Sequence, residues 1–321
     1  STRVRSSAAS DVYKRQEELS LKMIEIVFLQ GGLGNQMFQY AFYLSKRHSN
    51  MKIRCDYSLL QGQNRSHNGF ELDDVFGIVD CKSNILNRWV VRALIKINHL
   101  DKKWKCYLFF IFRLLKVRYV EDEIPSKYDR LRLIPDAKGG CCYFLGYWQS
   151  EKYFKGIERE IRAIFRFKED EISECSRSIL YQIKKTQSVS VHVRRGDYLN
   201  VQNQKLYGGI CTLQYYYKAI SYFTTLYGQE IFFFIFSNDA EWVKCNFDIP
   251  NMIIVDCNQG ENAWQDMFLM SKCTHNIIAN SSFSWWGAWL NTNDNKRVIS
   301  PSRFMNIGDS SDIIPSDWIV L

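Results

Sequence analysis

With 321 residues, 46% of them apolar, the chain can bury a large core and is expected to divide into two domains, which excludes disorder as its general state. Its formal net charge of +8 is unevenly placed: residues 82–118 hold ten Lys or Arg against Asp101 alone, which is +9, so everything else sums to −1. Ten cysteines, with no CxxC pair and no clustering with the five histidines, argue against zinc, and no apolar stretch approaches the ~20 residues that span a bilayer.

Residues 1–22 are rich in serine, alanine and charge, lack an apolar h-region, and read as a non-native or disordered leader. From Met23 onward, strand-like runs at 24–29, 53–57, 142–145, 189–193, 231–237, 252–255, 276–279 and 298–300 alternate with helical patterns at 36–49, 151–165, 213–226, 263–270 and 284–291. That alternation predicts an α/β fold with parallel sheets. A charged helical stretch over 168–185 places a boundary between an N-terminal domain, 23–180, and a C-terminal domain, 181–321. Two Rossmann-like halves would then face a cleft, with ligands outside the carboxyl ends of their strands. The scattered cysteines read as reduced thiols of a cytoplasmic protein, many of them buried as small hydrophobes, with an oxidised framework as the alternative.

Residues 82–118 interleave their cations with Trp89, Trp104, Phe109, Phe110 and Phe112, the mixture found in helices that lie at membrane interfaces. One expectation is an anionic membrane surface as partner, with the protein peripheral to its inner face. The other is a solvated helical face packed on the first domain by its apolar side. No nucleic-acid module accompanies the patch, and nucleic acid is not an expected partner.

The chemistry concentrates where strands end. The first run flows into Gly31-Gly32-Leu33-Gly34-Asn35-Gln36-Met37-Phe38-Gln39-Tyr40-Ala41. Met37 stands where a dinucleotide fingerprint needs Gly or Ala, and no Gly-Lys-Ser/Thr follows for a Walker loop. Gly32 and Gly34 would let backbone N–H groups approach a bound ligand, with Asn35 and Gln36 adding amide hydrogen bonds. A tight turn needing positive φ explains the glycines equally well. The fourth run ends in His192-Val193-Arg194-Arg195-Gly196-Asp197-Tyr198. Paired guanidiniums there suit a phosphate cluster, because their forked donors match phosphate oxygens and stay charged at any working pH. Arg194 and Arg195 are therefore the candidate catalytic cations. Asp197 is either a general base or the residue that orients Arg194, with Asp56, Asp239 and Asp266 as rivals for the base. His192 either donates to a phosphate or ribose oxygen or is a satisfied strand residue. Asp239, after Phe236-Ser237-Asn238, is a partner for ribose or guanine, or an N-cap. Asn280, Ser281 and Ser282 open a third junction with the same two readings, followed by Trp285, Trp286 and Trp289, of which at least two are expected in the core.

Taken together, residues 31–41, 192–198 and 280–291 resemble glycosyltransferase family 11, the α-1,2-fucosyltransferases that move L-fucose from GDP-fucose to a galactoside. The resemblance runs over residues 24–291. It implies a GT-B fold with the nucleotide held mainly by the second half, and inverting transfer from GDP-β-L-fucose to the 2-hydroxyl of a terminal galactoside or a lipid-linked glycan. It also implies contact of Arg194 and Arg195 with the diphosphate. No Asp-x-Asp pair occurs to hold a metal on that diphosphate, so no metal and no cofactor beyond the donor are expected. A GDP-sugar transferase of other linkage and a non-catalytic nucleotide or membrane-surface binder are the alternatives.

Overall fold

The β-branched and aromatic runs form strands because they are long enough to be covered on both faces, as parallel sheets require. The computed structural model describes residues 23–61, 68–122, 128 and 139–321. Its first sheet contains β1 (Ile24–Phe28), β2 (Arg54–Asp56), β3 (Val117–Glu121) and β4 (Cys141–Leu145), in the order β2-β1-β4-β3. Its second contains β5 (Gln187–Val193), β6 (Ile231–Ser237), β7 (Met252–Val255), β8 (His275–Ile277), β9 (Val298–Ser300) and β10 (Ile319–Val320), in the order β10-β9-β8-β5-β6-β7. All of these pairings are parallel. The α/β, GT-B-like expectation is met: two parallel sheets, each with helical crossovers. Strands β3 and β10 were not expected, the former because its cations disguise an edge strand at the tail of the basic stretch, the latter because two residues carry no period.

Between the strands run α1 (Leu33–Arg47), α2 (Leu72–Phe76), α3 (Ile85–Asn98), α4 (Lys102–Leu114), α5 (Glu158–Ile164), α6 (Glu174–Lys185), α7 (Val201–Tyr207), α8 (Leu213–Tyr227), α9 (Ala240–Asn246), α10 (Trp264–Lys272) and α11 (Ser282–Leu290). Several starts are set by side-chain caps that satisfy orphan N–H groups: Asn84 for α3, Ser173 for α6, Thr212 for α8 and Ser281 for α11. The helix expected over 151–165 is instead a 3₁₀ turn, Glu151–Phe154, and α5, parted where Gly156 takes φ +97°.

The largest core is shared by the two halves. Trp285, Trp286 and Trp289 of α11 are all buried, against Phe38 of α1 and Phe154. Phe304 and Trp318 join the same cluster. Helix α6, by contrast, packs through Leu180 and Ile183 with Phe234 and Phe268 of the second half, so a division at residue 180 cuts through it. The leader at residues 1–22 lies outside the described residues.

The reduced-thiol reading needs correction: Cys55 pairs with Cys81 and Cys175 with Cys257 as disulfides, while the remaining described cysteines are free. The first pair forms because the chain returns beside β2, where Lys82 bridges Asp56, a juxtaposition with no signature in cysteine spacing.

Candidate active site

A cleft of about 410 Å³ opens at the carboxyl ends of β1, β5 and β8, lined by residues of both halves. From the first half come Gly32, Gly34, Asn35 and Glu71, and from the second Arg194, Asn280, Ser281 and Ser282.

The glycine turn is built for close approach. Gly31 takes φ +77°, which a side chain disfavours. A Cβ on Gly34 would lie 2.7 Å from the Ser282 carbonyl carbon and 2.8 Å from the Phe283 nitrogen. The starts of α1 and α11 therefore touch at Gly34, and the Trp286 indole Nε1 donates to the Gly34 carbonyl at 2.9 Å. Two helix N-termini thus converge on one cleft, each a site of partial positive charge.

Gln36 needs correction as a donor-binding residue. It is fully buried, its Nε2 donates to the carbonyls of Gly31 (2.9 Å) and Gly69 (2.7 Å), and its Oε1 accepts from the Glu71 N–H (3.0 Å). It ties two loops together beneath the cleft. Asn35 does line the cleft, with its Oδ1 accepting from Gln149 Nε2 at 2.8 Å.

The neighbouring arginines part company. Arg194 lines the cleft, its guanidinium 5.9 Å from the Tyr198 ring centre. Arg195 turns away: its Nε donates to Asp239 Oδ2 at 3.3 Å, its guanidinium lies 4.1 Å from the Trp242 ring centre, and its N–H donates to Asn238 Oδ1 at 3.0 Å. Asp239 also caps α9 by accepting from the Trp242 N–H at 3.1 Å, so both its oxygens are engaged and it does not line the cleft. The cap is the role the structure assigns to it. The side chain of Asp197 lies outside the described part of the structure.

His192 is buried, and its Nδ1 has no hydrogen-bond partner among the described residues. Burial, with Arg194 adding to it, pushes its pKa down to about 3, so the ring is neutral. It sits 5.9 Å from Phe283, a residue that lines the cleft. Asn280 reaches the cleft wall, but its side chain is engaged elsewhere: Nδ2 donates to the carbonyls of Tyr207 and Phe304, each at 3.1 Å, and Oδ1 accepts from Cys211 Sγ. Ser281 caps α11, accepting from the Phe283 N–H at 3.3 Å, with Ser282 beside it at the cleft.

Glu71 was missed in the sequence. It occupies the N-cap position of α2 without capping that helix; its carboxylate accepts instead from the Leu33 N–H at the start of α1 and from Asn68 Nδ2 at 3.0 Å. Burial raises its pKa above the usual glutamate value, against those hydrogen bonds. Among the rival carboxylates, Asp56 is buried and accepts from the Ser58 N–H and Asn87 Nδ2. Asp266 is held by Asn258 and pushed up to about 7 by burial. Neither lines the cleft. Among the described residues no group of three His, Cys, Asp or Glu side chains is placed to hold a metal ion.

The model of glycosyl transferase family 11 matches residues 23–321. The chain belongs to glycosyltransferase family 11. This family 11 glycosyltransferase is 33% identical over 304 residues to the O-antigen biosynthesis glycosyltransferase WbnK of Escherichia coli, covering 91% of this chain and 99% of the relative. It is 34% identical over 309 residues to an alpha-1,2-colitosyltransferase of Escherichia coli, covering 92% and 98%. Human galactoside alpha-(1,2)-fucosyltransferase 1 is 28% identical over 187 residues, which is 54% of this chain and 51% of that protein. Among solved structures, fucosyltransferase NodZ from Bradyrhizobium aligns with a TM-score of 0.47 at 16% identity, over 83% of this chain and 92% of that one. No helix among the described residues is long and apolar enough to cross a membrane.

Proposed function

We propose that this family 11 glycosyltransferase moves L-fucose from GDP-β-L-fucose to the 2-hydroxyl of a terminal galactoside by a single inverting displacement. The observation that carries the reading is the convergence of Arg194 with the N-termini of α1 and α11 on one cleft. Negative charge building on a diphosphate leaving group meets a fixed guanidinium and oriented N–H groups there, which is electrostatic stabilisation without reorganisation. His192, neutral and buried behind Phe283, backs the wall of the cleft rather than lining it. The acceptor hydroxyl loses its proton to Glu71, the buried carboxylate of the same cleft, whose raised pKa makes it a better base than an exposed glutamate. Arg195 and Asp239 position the strand end rather than the donor. The cationic work needs no metal in this scheme.

A colitosyl donor is the second reading, favoured by the 34% identity to the colitosyltransferase. Colitose is fucose without its 3-hydroxyl, so the two donors separate on one hydrogen bond. The test offers GDP-fucose or GDP-colitose with a panel of β-galactosides in the presence of chelator, and reads the linkage by NMR. A fucosyl-α-1,2-galactose product supports the first reading, and product from GDP-colitose alone replaces it with the second. Absence of glycoside from either donor sinks both.

A further inference from the structure

Helices α3 and α4 lie side by side on the first sheet but use little of their surface to do so. Helix α3 buries Val91, Leu94 and Ile97, and α4 buries no residue, only leaning Phe109 and Phe112 against the sheet. What they turn outward is apolar: Ile85, Leu86 and Trp89 on α3, and Trp104, Tyr107, Phe110 and Leu114 on α4, each between 58 and 70% exposed. Positions 104, 107, 110 and 114 recur at helical spacing, so they form one stripe opposite the sheet-facing residues. Soluble monomers seldom expose contiguous apolar surface of this kind without a partner.

The charge around the stripe selects the partner. Among the described residues, none of the ten cations between Lys82 and Arg118 is in an ion pair. A second copy of the chain would bring +9 against +9 across this face, which opposes self-association. An anionic bilayer satisfies both components: indole and phenol rings settle at the headgroup level, and Lys and Arg stems extend along the apolar surface to the phosphates. The position is also anchored. Asn87 Nδ2 donates to Asp56 at 2.9 Å and Asn98 hydrogen-bonds Glu121, holding α3 across the carboxyl ends of β2 and β3, the ends on which the cleft opens.

We propose that the outer face of α3 and α4 docks this enzyme on an anionic lipid surface, with Trp89, Trp104, Tyr107 and Phe110 entering the interface and the cations of residues 82–118 holding the headgroups.

Sedimentation of the full chain with vesicles tests this, and because it reads binding rather than turnover, its outcome is independent of which donor and acceptor the cleft takes. The chain should pellet with vesicles containing about 30 mol% phosphatidylglycerol and not with phosphatidylcholine alone. Raising NaCl to about 0.5 M should weaken partition roughly tenfold. Two variants, Trp104→Ser with Phe110→Ser, and Lys102→Glu with Lys103→Glu and Lys105→Glu, should each lower partition about tenfold or more with melting curves unchanged. Equal pelleting with neutral vesicles, absence of pelleting at low salt, or full binding by both variants would overturn the proposal. So would a lipid-free dimer, seen by sedimentation velocity, that the Trp104/Phe110 variant loses, since the occupant would then be a second copy.

Discussion

Adjacent arginines at 194 and 195 differ in role because consecutive residues leaving a strand project to opposite sides. One guanidinium reaches the cleft and the other is held by Asp239 and Trp242. Arg194→Lys keeps the charge but loses the forked donors, and kcat should fall about 10²–10³-fold, the range for removing one preorganised donor. Arg195→Lys, acting through the strand end, should lower kcat/KM less than Arg194→Lys does; steady-state kinetics of both variants check the order, and the reverse order would move the phosphate site. For Glu71 the sign follows from its raised pKa: the carboxylate is an active base above that pKa, so kcat should decline as pH falls through it, at a higher pH than an exposed glutamate would give. Glu71→Gln should flatten that acidic limb and slow turnover about 10²–10⁴-fold; a pH profile that keeps its limb in the variant rules Glu71 out as the base. That two arginines leave the carboxyl end of a strand was legible in the sequence; that only Arg194 lines the cleft was not. Nor was Glu71, since nothing beside it in the chain announces that its carboxylate reaches the first turn of α1.

Among the elements, the contact between α1 and α11 governs the cleft. Their first turns meet at Gly34, where an added Cβ would lie 2.7 Å from backbone that no rotamer change can move. Gly34→Ala should destabilise the fold by about 1–3 kcal/mol through overpacking, lower Tm by about 2–4 °C for each kcal/mol, and reduce activity beyond the loss of stability because it separates the two N-termini. Calorimetry and turnover at a temperature where the variant is folded check both parts, and a variant with normal Tm would show that the approach is loose. Strand runs such as Ile231–Ser237 and Met252–Val255 were readable to the residue, because an apolar run bounded by polar turn residues is a local signal. The split of 151–165 was less readable, since a glycine within a helical pattern is often tolerated.

For the whole molecule, the shared core matters most. The tryptophans of α11 lie among Phe38, Phe154 and Phe165 of the first half, so the halves cannot expose their cores independently. Scanning calorimetry should give one cooperative transition; two separated peaks would mean that each half is stable alone. Chain order determined a good deal by itself: the parallel α/β class, most strands, the caps at Asp239 and Ser281 and the three strand-end motifs, all of which depend on neighbours within a few positions. Tertiary structure alone decided which arginine faces the cleft and that Gln36 and Asn280 serve as internal clamps. It also decided which cysteines pair, and that the tryptophan helix completes the core of the opposite half. These depend on segments far apart in the chain meeting in space, and the packing that brings them together leaves no periodicity in the residues it joins.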